Sequence, residues 1–198
     1  MADINAEVRP VSDKLLALSA FSFLFYLGLA LLIFYFFREE PVLYMFDHGH
    51  SVLIQLCIGS ISGYLSVLLI SFFIRKKPVS DILSDFHIVR AITEMRFSAF
   101  DRFQISLLAG TGEEILFRGA IQPILGIWIT SILFVGLHGY FKFEKPGHFL
   151  FGLMMFGLSM LLGFLYEYSG LLAAITAHAV YDLFMLKRVA ALKELINH

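Results

Sequence analysis

Glu113, Glu114 and Arg118 stand inside an otherwise apolar stretch that runs from about residue 103 to 125, and nothing else restricts the fold of this chain as much. A soluble helix or a lipid-facing one would not carry them there. Two later apolar runs enclose His138, in Phe134-Val135-Gly136-Leu137-His138, and His178 with Asp182, in His178-Ala179-Val180-Tyr181-Asp182. A charged side chain at a bilayer centre costs roughly 2.5–3.5 kcal/mol, so four unpaired ones would cost on the order of 10 kcal/mol. That approaches the whole stability of a domain, about 5–15 kcal/mol. These groups must therefore face the interior of a helix bundle and satisfy one another.

Hydrophobic residues make up 59% of the 198-residue chain and charged residues 16%, the balance of an integral membrane protein. Apolar segments at 15–37, 52–74, 103–121, 124–140, 149–166 and 171–186 are long enough, or nearly so, to cross ~30 Å of hydrocarbon as helices. The expected fold is all-α, a polytopic transmembrane bundle of about six spans. Gln122-Pro123 reads as the turn between the third and fourth spans, and Gly and Ser within several segments allow helices to approach closely. The chain reads as a single membrane domain over 1–198. Residues 15–102 form its N-terminal spans and interfacial segment, and 103–186 its motif-bearing core.

Basic residues set the expected orientation. With the N-terminus inside, Arg75, Lys76, Lys77, Arg90, Arg96 and Arg102, then Lys142 and Lys145, then Lys187, Arg188 and Lys193 all fall in the cytoplasm. Both termini are then cytoplasmic. Residues 1–12 lack the small-residue cleavage site of a signal peptide, so the first helix is expected to be kept. Between the second and third spans, Ile82, Phe86, Val89 and Ile92 recur at helical spacing. The segment 78–102 reads either as an amphipathic helix on the inner membrane face or as a helical linker packed on the bundle. A net charge of −1 argues against nucleic acid as a partner, which leaves the bilayer and membrane-associated protein or peptide.

Residues four apart on a helix share a face, whereas neighbours diverge. Glu114 and Arg118 are thus placed to pair, and Glu113 points elsewhere. An arginine partner keeps Glu114 ionised and occupied, which makes Glu113 the better general base. His178 and Asp182 project from one helical face, as do Phe134 and His138.

In order along the chain, Glu113-Glu114-Ile115-Leu116-Phe117-Arg118 followed by Gly119, then Phe134 to His138, then His178 to Asp182, resemble the EExxxR, FxxxH and HxxxN motifs of the CPBP or Abi family of intramembrane proteases. That family includes the CAAX-processing type II prenyl endopeptidases and many bacterial relatives, and the resemblance covers about 103–186. It implies an endopeptidase acting on a membrane-associated protein or peptide, here in a bacterial inner membrane. By the family's mechanism Glu113 and His138 activate a water, while His178 and residue 182 stabilise the oxyanion. The sequence departs from the family at this last position. An ionised Asp182 cannot donate a hydrogen bond, which suits it better to orienting His178 as an acceptor. Glu114, Arg118 and Phe134 are read as structural support for the site.

No cofactor is favoured, although zinc is possible, with Glu113, His138 and His178 as its ligands. The chain has no HExxH and no CxxC. Three competing readings are a buried polar network that only holds helices together, a catalytically silent membrane scaffold or regulator, and a proton or cation transporter. The scaffold should show lost motif residues, and only position 182 departs. The transporter should show internal repeats, and none is visible. Elsewhere, Cys57 reads as a small core residue, and His48, His50, His87, His148 and His198 as solvated or interfacial. Tyr44, Tyr140, Tyr166 and Tyr168 read as interfacial anchors.

Overall fold

A computed structural model describes residues 9–86, 89–90, 92 and 97–191; the readings of residues 1–8, His87 and His198 fall outside these. Its elements are α1 (Arg9–Phe37), a 3-10 turn (Val42–Phe46), α2 (Val52–Phe73), a second 3-10 turn (Ser80–Asp85), α3 (Ala99–Glu114), a π-helical segment (Ile115–Ile121), α4 (Gln122–Leu137), α5 (Pro146–Ser169) and α6 (Leu171–Ala191). No strand occurs among the described residues, and the protein is an all-helical, polytopic membrane protein. Four helical stretches, Leu15–Phe37, Val52–Phe73, Ala99–Leu137 and Pro146–Ser169, are long and apolar enough to cross a membrane.

The stretch Ala99–Leu137 is not one rod. At 39 residues a straight helix would extend about 58 Å, roughly twice the hydrocarbon thickness. Instead the chain reverses at Gly126, whose φ of 74° and ψ of 168° lie far from helical values. Phe117 and Phe134, on either side of the reversal, bring their rings to 4.9 Å. This corrects the expected turn at Gln122-Pro123. Pro123 sits in the first turn of α4, where its missing N–H costs nothing, and the glycine three residues on supplies the left-handed backbone. After Gly126, α4 runs only to Leu137, about 16 Å, so the fourth segment reaches halfway across and stops.

α6 lies at the centre. Leu171, Ala173 and Ala174 are fully buried, and Ala177 is nearly so. Its neighbours approach through glycine: a Cβ on Gly59 or Gly63 of α2 would strike the carbonyl of Ala173 or Ala177, and one on Gly110 of α3 would press on Ala179. In lipid, where apolar surface gains nothing by leaving the tails, such backbone-close van der Waals contact is what holds helices together. Cys57, on the same α2, is exposed and not in the core as its apolar surroundings suggested.

The segment after α2 takes the second of its two expected forms, a linker packed on the bundle, with a 3-10 turn in place of its first helical turns. Ser80–Asp85 is a 3-10 turn and Phe86 is extended. Ile82, Phe86 and Val89 are buried, so these apolar residues pack on the bundle and do not lie on the membrane surface. A polar clamp holds the turn to the start of α5. Asp85 Oδ2 accepts from Lys145 Nζ at 2.8 Å and lies 3.0 Å from His148 Nε2, and Lys142 Nζ donates to the Asp85 carbonyl at 2.9 Å. The Lys145 hydrogen bond holds the Asp85 carboxyl below its usual range. His148 is fully buried, which corrects its reading as a solvated histidine; Tyr166 too is buried and not an interfacial anchor.

The glycine faces around α6 generate a prediction. Gly63→Val forces a branched side chain into the Ala177 backbone and should cost roughly 1–3 kcal/mol or more. Gly28→Ala, which meets nothing within 4 Å, should cost nothing. Thermal unfolding of the two variants in detergent checks the contrast.

Candidate active site

The span that carries the two glutamates has a defined start. Ser98 caps α3, its Oγ accepting from the Asp101 N–H at 3.1 Å while Asp101 Oδ2 accepts from the Ser98 N–H at 2.9 Å. From there Glu113 lies on the order of 20 Å along the helix. Immediately after Glu114 the backbone changes to π-helical bonding, and residues Ile115 to Ala120 are all buried. Such wide turns are rare and occur mostly as local departures at functional sites. Gly119 leaves room for Met45 of the first 3-10 turn, whose sulfur occupies the space a Cβ would need.

Within this turn Arg118 Nε donates to Glu114 Oε2 at 3.0 Å, and both side chains are wholly buried. Arg118 Nη2 donates to Ser159 Oγ of α5 at 2.9 Å, and the guanidinium lies 5.5 Å from the centre of the Phe134 ring. The other oxygen of Glu114 is engaged as well. A carboxylate can only accept, so His178 Nδ1 carries the proton and donates to Glu114 Oε1 at 2.8 Å. Glu114 thus ties three elements, and it is this residue that sets the tautomer of His178. Spacing alone had paired Glu114 with Arg118 and given the orienting of His178 to Asp182.

His138 is fixed in a similar way. Its Nδ1–H donates to the Phe134 carbonyl at 2.7 Å, one turn back, and its ring stacks on Phe134 at 4.3 Å. Phe134 therefore supplies both the acceptor and the face that orient the imidazole. Gly126 lies 13 residues after Glu113 and 12 before His138, so the hairpin returns the histidine to the level of the glutamate.

Both imidazoles consequently turn Nε2 toward one carboxylate. Glu113 Oε2 is 3.4 Å from His138 Nε2 and 3.8 Å from His178 Nε2, and Asp182 Oδ2 is 3.6 Å from His178 Nε2. Glu113, His138, His178 and Asp182 form one wall of a cavity of about 290 Å³. The rest of the lining is mainly apolar, from Ile70 and Ile74 of α2, Leu83, and Met185 and Leu186 of α6, toward the end of the bundle that carries Arg75 to Lys77 and Lys187. Tyr140 and Tyr181 also line it. The motifs gave no sign of either tyrosine, and Tyr140 had read as an interfacial anchor.

Glutamate and two histidines are a donor set that zinc accepts. Among the described residues, however, no three or more His, Cys, Asp or Glu side chains gather closely enough to hold a metal ion.

Fold and site together define an integral membrane protein with an acid–base cluster buried where three helices meet. Residues 96–184 match the family model described as Type II CAAX prenyl endopeptidase Rce1-like, a segment that holds Glu113, Glu114, Arg118, His138, His178 and Asp182. A curated relative from Bacillus subtilis (strain 168), "Uncharacterized protein YpbD", is 38% identical over 79 residues. The match covers 39% of this chain and 40% of that relative, so the chain aligns with less than half of its length. No solved structure matches.

Removing one partner of a buried pair strands the other charge, at roughly 3–5 kcal/mol. Arg118→Ala should lower stability by that amount, seen as a reduced midpoint in detergent melts. Full heat stability with activity lost would instead move Arg118 into the chemistry.

Proposed function

We propose that the protein is an intramembrane endopeptidase that hydrolyses a peptide bond of a membrane-associated protein or peptide with a glutamate-activated water. One observation carries this reading: Glu113 Oε2 faces two imidazole Nε2 atoms, at 3.4 and 3.8 Å, on the wall of an otherwise apolar cavity. His138, its Nδ1 proton committed to Phe134, offers the Nε2 lone pair to a water lying beside Glu113. Glu113 takes the water proton as the hydroxide adds to the scissile carbonyl carbon. His178, as the imidazolium, donates Nε2–H to the oxyanion. The tetrahedral intermediate collapses, the C–N bond breaks, and protonated Glu113 returns its proton to the leaving amine. An apolar surround strengthens each of these electrostatic contacts.

The match of residues 96–184 to the model of an endopeptidase family supports the class of reaction. The substrate reading stays at a membrane-associated chain, with no lipid group assigned. The basic residues at the end toward which the cavity extends support a cytoplasmic mouth and cytoplasmic termini, in a bacterial inner membrane.

If Glu113, His138 and His178 act as one unit, each single alanine variant should nearly abolish cleavage, and double variants should lose little more. The substrate is sought as the membrane peptide that accumulates uncleaved when Glu113→Ala replaces the wild type in cells. Turnover retained by Glu113→Ala would defeat the assignment. Stoichiometric zinc in the purified protein, with activity lost to a chelator, would replace the glutamate mechanism by a metal one.

Orientation is tested separately. Reporter fusions should place the 75–102 segment and the C-terminus in the cytoplasm and the loop at 39–51 outside. A C-terminus labelled from outside intact cells would reverse this topology.

A further inference from the structure

Stabilising an oxyanion takes hydrogen-bond donors, and the residue at 182 is the wrong type for it. An ionised carboxylate has none to give. His178 has one free nitrogen, Nε2, and that leaves room for a second donor on the cavity wall. Two tyrosines line the same cavity, Tyr140 and Tyr181, and neither hydroxyl makes a hydrogen bond among the described residues. Both residues are half-buried and neither hydroxyl is among the buried atoms left without a partner, so each keeps surface from which to donate to a group in the cavity.

Tyr140 is the better placed of the two. It follows the reversal-and-return of α4, two residues beyond His138, and its ring lies nearly parallel to the His138 imidazole at 5.7 Å and 17°. Phe86 and Phe151 meet it edge-on at 6.0 and 5.6 Å, so the ring is held on three sides. The phenol lies within electrostatic reach of both Asp182 and Glu113, whereas Tyr181 feels Asp182 and Tyr140. Burial pushes the Tyr140 hydroxyl well above the usual phenol range, which keeps it a neutral donor at any working pH.

We propose that the Tyr140 hydroxyl is a catalytic residue, the donor that binds the oxyanion beside His178 in place of the side chain at position 182. Asp182 then remains an acceptor facing His178 Nε2, 3.6 Å away, and favours the imidazolium that donates. The inference rests on the endopeptidase reading above.

The test uses full-length protein in detergent or vesicles and a quenched-fluorescence peptide spanning the cleavage site identified from Glu113→Ala membranes. Tyr140→Phe keeps the ring, and with it the stack on His138, and removes only the hydroxyl. It should lower kcat by about 10²-fold, as loss of one oxyanion donor does, and leave KM within about twofold. Adding Asp182→Asn to Tyr140→Phe should recover at least tenfold of that loss, because the amide offers a donor where the carboxylate had none. Wild-type kcat in Tyr140→Phe would overturn the proposal. So would a defect that appears in KM, or one that Asp182→Asn does not relieve, since either assigns the hydroxyl to substrate binding or to structure. If no peptide accumulates with Glu113→Ala, the endopeptidase reading fails first and this inference falls with it.

Discussion

A single carboxylate, Glu114, holds the site together. It is wholly buried, and an isolated ionised carboxylate in such a place would be prohibitive. It is tolerable because each oxygen has a strong donor, Arg118 on one side and His178 on the other. Those donors sit on the π-helical turn and on α6, and Arg118 continues to Ser159 on α5. One group thereby fixes the relative position of three helices. The same bond decides which nitrogen of His178 faces Glu113, so the fold and the chemistry share one interaction.

The charges in the cluster constrain it further. Glu113, Glu114 and Asp182 face Arg118, so with both imidazoles neutral the cluster would carry a buried net charge of −2. A proton on His178 halves it and leaves His138 its Nε2 lone pair. A low-polarity interior favours that reduction in charge.

Much of this was legible before any coordinates. The apolar runs located six helical segments because a chain in lipid must satisfy its backbone internally, and the intramembrane charges marked groups that had to come together because lipid penalises them singly. What the sequence concealed was long-range. Pro123 looked like the turn, yet a proline fits the first turn of a helix, and the reversal waited for Gly126. The bond from His178 to Glu114 joins residues 64 positions apart, and no local periodicity points to it. His148 looked solvated because its partner, Asp85, lies 63 positions away in a different segment. Tyr140 looked like a membrane anchor because its position near a span end is the place anchors occupy. The shortness of α4 turns that place into the cavity wall.

The glycine faces of α2 and α3 have a mechanical consequence. With Gly59 and Gly63 against Ala173 and Ala177, and Gly110 against Ala179, backbones touch with no side chain between them. Interfaces this close have no slack and cannot slide by fractions of a residue. α4 is different: Trp128, Ile129, Ile132, Leu133 and Leu137 all face outward, and it ends halfway. The backbone-close seams therefore lie on the α2 and α3 sides of α6, the helix that carries His178, while α4 spends its apolar side chains on the outer surface of the bundle.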